Sequence, residues 1–231
     1  MCCNLFEVFQ LVHKMNFDTS SIDAGAPCVV ADPLFRLDRS DVLLMGLPFH
    51  PAFESAPDDE VGWTAVGKSK RFAASFEEGR KAEDRFEAAA AALGWTRVPT
   101  SSFDDKVRRI DAAYTVPFHG FGTLLLDIKG AKKLSRSDPE PQFRFHWLEL
   151  HDTGSLFSGQ SAVLALEVGP GRFALFNKGD LRMWIRAKVQ GPPVARSTQA
   201  LFRPYQRDGK LREWITLVDV KEMASMCKGI L

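Results

Sequence analysis

Cysteine is scarce in this chain, and its four copies, at positions 2, 3, 28 and 227, include no C-x-x-C pair. That excludes the usual structural zinc site and makes a disulfide framework an unlikely organiser, so a reducing compartment is the simplest reading. Long apolar runs are lacking too: every apolar segment is far shorter than a membrane span needs. The opening MCCNLFEVFQLVHKM carries Glu7 inside its apolar part and no basic start before it, which makes it a poor signal peptide. Met15 is a candidate true start, and a packed leader accounts for Cys2 and Cys3 more simply than lipidation does. The expected location is the cytoplasm, with the nucleus left open, and no membrane partner is expected. An excess of either charge is also missing, with 30 Lys and Arg against 29 Asp and Glu. No overall field therefore draws the chain to nucleic acid, and any polyanion site must be local. The five histidines form no H-E-x-x-H, and neither a G-x-S-x-G nor a cysteine-nucleophile context occurs.

What is present suits a globular domain. The chain has 231 residues, 45% of them apolar, enough for one good-sized core. Residues 16–70 are rich in Pro, Gly, Ser and Asp apart from an apolar run at 42–47. We read 1–70 as an N-terminal extension, loosely ordered or packing against a domain at 71–231. Within 79–93, Ala82, Phe86, Ala89, Ala90 and Leu93 repeat at helical spacing, and Gly94 stops the pattern. RIDAAYTVPF and GTLLLDIKG read as two strands separated by HGFG. Further strands are expected at 143–150, 162–168, 172–177 and 214–218, a helix at 180–188 and a terminal helix from about Asp219. This order predicts an α/β domain with a mixed central sheet flanked by helices.

The chemistry gathers where the LLLDIKG strand ends. Side chains two apart on a strand share a face, so Asp127 and Lys129 project together while Leu124, Leu126 and Ile128 face the other way. Asp111 is out of phase with Ile110, Ala112, Tyr114 and Val116, and pairing the two strands as a hairpin brings it next to Asp127. Two close carboxylates repel unless a cation neutralises them, and a divalent metal with oxygen ligands is the usual remedy. With a lysine beside it, such a site suggests metal-assisted phosphodiester hydrolysis. Glu83 lies at the shoulder of the apolar stripe, roughly 75° from its centre, and Glu87 further towards solvent as a reserve.

A helix carrying Glu, a strand carrying Asp and a strand ending in Asp-x-Lys resemble the PD-(D/E)xK nuclease superfamily, and GRKAEDRFEAAAAALGW is similar to the first helix of its resolvase-like branch. The resemblance covers 79–130. It implies a restriction-endonuclease-like core and a Mg²⁺-dependent endo- or exodeoxyribonuclease, with Mn²⁺ able to substitute. By it, Asp111 and Asp127 hold the metal, Ile128 lends its carbonyl, Lys129 positions the attacking water, and Glu83 supports the site. Two departures stand out: the second acid is Asp rather than the commoner Glu, and no proline precedes Asp111. The Asp-x-Lys tripeptide also occurs at 104, 208 and 219, but only the 127 copy ends an apolar strand.

Lys106, Arg108 and Arg109 precede Asp111, and Lys132, Lys133 and Arg136 follow the motif, so positive charge flanks both acidic strands. These are candidate contacts to DNA phosphates, with RNA and a homodimer left open. Competing readings remain. Asp127 and Lys129 also fit an ordinary ion pair in a non-catalytic nucleic-acid-binding or assembly module. GWTAVGKS at 62–69 matches the phosphate-loop pattern of a nucleotide hydrolase, although SAPDDEV before it is no buried strand.

Overall fold

The polar break after Leu93 and the alternation of the later apolar runs give the chain its layers. The computed structural model describes residues 47–51, 53–57, 70–117, 122–134, 138–151, 154–206 and 214–231. The phosphate-loop stretch at 62–69, Arg136 and the cysteines at 2, 3 and 28 lie outside the described residues.

Helix α1, Lys70–Ala92, begins nine residues before the predicted start at 79. Ala82, Phe86 and Ala90 form its fully buried stripe. It ends because Gly94 takes a left-handed turn at φ 75°, a conformation open to glycine without strain. The amides of Gly94 and Trp95 donate back to the carbonyls of Ala91 and Ala90.

Six strands make the main sheet, in the order β1-β2-β3-β5-β6-β9: β1 is Thr96–Val98, β2 Ala112–Thr115, β3 Thr123–Lys129, β5 Val163–Gly169, β6 Arg172–Asn177 and β9 Cys227–Ile230. Strands β1, β2 and β3 run antiparallel in turn, β5 lies parallel to β3, and β6 and β9 are each antiparallel to their predecessor. The sheet is therefore mixed, as expected. A second sheet orders β4 (Phe145–Glu149), β8 (Trp214–Asp219) and β7 (Tyr205–Gln206).

Strand periodicity decides what lies on each face. Leu124, Leu126, Ile128, Ala112 and Tyr114 pack with Phe86 under α1. The Phe86 ring meets Phe173 edge-on, centroids 5.1 Å apart, and Tyr114 at 5.7 Å. On the opposite face Leu164, Leu166 and Phe176 pack with Leu156 of α2 (Ser155–Ser158), with Leu181 and Ile185 of α3 (Lys178–Lys188) and with Leu148 and Val218 of the second sheet. Residues just ahead of α1 join the first layer: Leu47 is buried there, Phe49 packs against it, and His50 bridges to Thr123.

Two expectations need correction. The terminal helix is instead a 3₁₀ turn, Val220–Met226, leading into β9. RIDAAYTVPF is not the first strand, since β1 precedes it; Thr-Arg-Val is too short for its alternation to be read.

Candidate active site

Asp127 lies within β3, and Asp111 stands at the entry to β2. Ala113 pairs with Leu125 and Ala112 with Leu126, and Asp111 directly precedes the first paired residue of β2. The Asp111 amide donates to the Leu126 carbonyl at 2.8 Å, and Oδ2 of Asp111 accepts from the Ile128 amide at 2.7 Å. A residue's N–H and C=O on a strand point to the same neighbour, so the Ile128 carbonyl is directed to the side where Asp111 stands.

Asp127 is buried at 1% exposure and lies between two ammonium groups. Lys129 Nζ is 2.5 Å from Oδ1 and Lys178 Nζ is 2.8 Å from Oδ2. These contacts act through charge, since neither oxygen has a hydrogen bond of good geometry. Lys178, the first residue of α3, is itself buried and also donates to Ser161 Oγ at 2.6 Å and to the Ser155 carbonyl at 2.9 Å. The sequence reading missed it.

The environment pushes the two carboxyls apart. Burial drives Asp111 up to about 7; the Lys129 charge opposes this, Asp127 adds to it and the Ile128 hydrogen bond opposes it. Burial would raise Asp127 as well, but Lys129 and Lys178 outweigh it and hold that carboxyl below the usual range. For Lys129 the penalty of burial is overcome by Asp127 and Asp111, which raise it; for Lys178 burial prevails and lowers it. One firm carboxylate thus sits beside one that changes charge near neutrality.

Glu83 is part-buried on α1, which covers the other face of the sheet. Burial raises its carboxyl first, then Asp105, while Arg97 and Lys129 pull it down. It feels Lys129 but does not join a three-acid group, for among the described residues no three His, Cys, Asp or Glu side chains are gathered to hold a metal. Glu87 pairs with Arg97. Glu149, by contrast, faces Lys129 across a cavity of about 90 Å³, where its Oε2 accepts from the Ser155 amide at 2.8 Å.

The fit to a cation rests on the donor set. Asp111, Asp127 and the Ile128 carbonyl are hard oxygens, and the Asp127 oxygens are buried acceptors without directed hydrogen bonds. Mg²⁺ keeps several waters and commonly uses only one or two carboxylates, so the residues suit Mg²⁺ or Mn²⁺. Any cation here must share Asp127 with two lysines.

Of the other Asp-x-Lys copies, Asp104 is held by Arg108, Ser55 and Ser101, and Asp219 by Arg144. The 208 copy lies outside the described residues. Asp127 is ion-paired with its own lysine, Lys129. Among the flanking cations Lys106, Arg109, Lys132 and Lys133 are exposed, whereas Arg108 is tied to Asp104 at 2.9 Å and to the Glu54 carbonyl. Arg109, immediately before Ile110 and Asp111, adopts a left-handed φ of 57°, uncommon for a side chain of its size. No protein-family model, curated protein or solved structure matches the chain.

Proposed function

We propose that this protein is a metal-dependent nuclease with a restriction-endonuclease-like core, hydrolysing phosphodiester bonds in DNA. The observation that carries the proposal is the Asp111 carboxylate accepting from the Ile128 amide, beside Asp127, with Lys129 against Asp127. Asp111, Asp127 and the Ile128 carbonyl are the groups that would hold the cation. When bound, Mg²⁺ or Mn²⁺ supplies Lewis acidity to the scissile phosphoryl group and its attacking water. Lys129, raised and part-exposed, orients that water and offsets the charge that develops on the phosphoryl oxygens. Glu83 supports this group electrostatically from α1, and Lys106, Arg109, Lys132 and Lys133 meet the backbone phosphates.

A specific observation favours a second reading. Lys129 and Lys178 already neutralise Asp127, which suits a binding or assembly module that retains the cluster for stability.

The two readings are separated by incubating the protein with linear, single-stranded and branched DNA in Mg²⁺, Mn²⁺ or chelator. Metal-dependent cutting that drops at least 100-fold in Asp127→Asn and Lys129→Ala, with the fold intact by circular dichroism, supports the nuclease. Undiminished cutting in both variants moves the site elsewhere. Salt-sensitive DNA retention without any cutting favours the binding module.

A further inference from the structure

Two residues before Asp127 on the same strand face, Leu125 lies in the floor of a second cavity, of about 320 Å³. Ile110, the neighbour of Asp111, and Phe53 complete an apolar floor. The rim is polar: His50, Glu54 and Gln160 border the opening. The side chains of these three make no hydrogen bond or ion pair with the described residues. Arg108, anchored through Nη1 to Asp104 and to the Glu54 carbonyl, closes another side. The volume lies at the lower end of small-molecule sites, and an apolar floor with a few convergent polar groups is their usual composition.

Position and chemistry narrow the ligand. Leu125 and Asp127 are about 7 Å apart along the strand, so the cavity stands roughly one nucleotide's reach from the Asp111–Asp127–Lys129 group. The Glu54 carboxylate disfavours a phosphate. It suits a donor edge, the Gln160 carboxamide both donates and accepts, and Phe53 offers an aromatic face. A flat heteroaromatic ring with polar edges meets all three.

We propose that this cavity seats one unstacked nucleobase of the strand whose phosphate lies at Asp111, Asp127 and Lys129, so that the preferred substrate is single-stranded or locally unpaired nucleic acid. The placement of the phosphate rests on the hydrolytic reading above. A paired base must leave its stack to enter, at a cost of a few kcal/mol, whereas a single strand presents bases already free.

The test is fluorescence anisotropy in chelator, where no cutting occurs, with a labelled single-stranded oligonucleotide and its duplex. Base–aromatic stacking loses about 1–3 kcal/mol per base on removal of the ring, which is about 5- to 150-fold in affinity. Phe53→Ala is expected to weaken single-strand binding about tenfold or more and to leave duplex binding unchanged. The exposed substitution Gln160→Ala, which disturbs no packing, is expected to act in the same direction by several-fold. Equal weakening of both DNA forms, or no weakening in either variant, overturns the proposal. Cutting assays fail independently: selective single-strand loss in a protein that never cuts keeps the cavity and removes the nuclease, and metal-dependent cutting with unchanged binding does the reverse.

Discussion

At the scale of single residues, the least readable group is Lys178. Its cost is legible in the structure: a buried ammonium lies at the first position of a helix, where the macrodipole disfavours positive charge. Asn177 caps that helix, its Oδ1 accepting from the amides of Gly179 and Asp180. What offsets the cost is Asp127, so truncating Lys178 leaves a buried carboxylate with one partner fewer. Lys178→Met is expected to lose about 3–5 kcal/mol in urea unfolding, and the Lys178→Met/Asp127→Asn double variant less than the sum of the two single losses. An additive double variant contradicts the coupling. Asp127 and Lys129 were legible because strand alternation puts them on one face. Lys178 was not, because a lysine at a helix start reads as solvated, and its only clue is that it works against the dipole. Two titrations oppose each other here. Burial lowers His146 to about 4, so it contributes stability above its unfolded pKa near 6.5 and loses about 3 kcal/mol as pH falls through 4. Asp111 has the opposite sign: raised to about 7, it contributes most below its unfolded pKa and loses that contribution as pH rises through 7. Stability of the wild type is therefore expected to change little between pH 7 and 4.5, whereas Asp111→Asn exposes the His146 loss as a falling melting temperature. Parallel profiles for the two proteins contradict this assignment.

At the scale of elements, the site depends on how closely α1 approaches the end of β3. Gly130 follows Lys129 directly, and a Cβ placed there meets the Ala82 Cβ at 2.6 Å. Neither group can turn aside, so Gly130→Ala must push helix from strand, with an expected loss of about 1–3 kcal/mol. Gly79, within the same helix, has nothing within 4 Å of its added Cβ, and Gly79→Ala is expected to gain about 0.5–1 kcal/mol. Thermal denaturation of the pair distinguishes a steric contact from a general intolerance of glycine replacement; equal effects contradict the close approach. The same junction is tied by Arg85, whose guanidinium makes two contacts of 2.7 and 2.8 Å with buried Glu167, while Glu167 also accepts from the Ala131 amide. The stripe in α1 and strands β2, β3, β4, β5, β6 and β8 were readable from period and apolar runs, whereas β1, β7 and β9 were not. The chain end was not: Val220 and Met223 are three apart and buried, a spacing shared by an α-helix and a 3₁₀ turn. Pairing of β9 with β6, a long-range contact, decided between them.

At the scale of the whole molecule, a formal charge of +1 gives no steering, so the proposed affinity for nucleic acid requires a local cluster of cations. Mixed α/β order was visible in the sequence, but the second sheet was not, because β7 has two residues and pairs only through β8. Among the described residues no helix is long and apolar enough to cross a membrane. Lys106 and Arg109 stand on the segment that leads into Asp111, and Lys132 and Lys133 on the one that leaves Lys129, so exposed cations bracket both acidic strands. If these four meet phosphates of a single strand, each releases about 0.7 counterion, and log affinity against log salt should fall with a slope near −3. Lys106→Gln/Lys133→Gln is expected to reduce that slope by about 1.4 while leaving folding unchanged, since both side chains are exposed. Binding isotherms between 50 and 300 mM salt, on the order of the range where counterion release is read, supply the measurement. A slope indifferent to the two substitutions places the nucleic acid on another face, away from Asp111 and Asp127, and removes the basic flanks from the reaction.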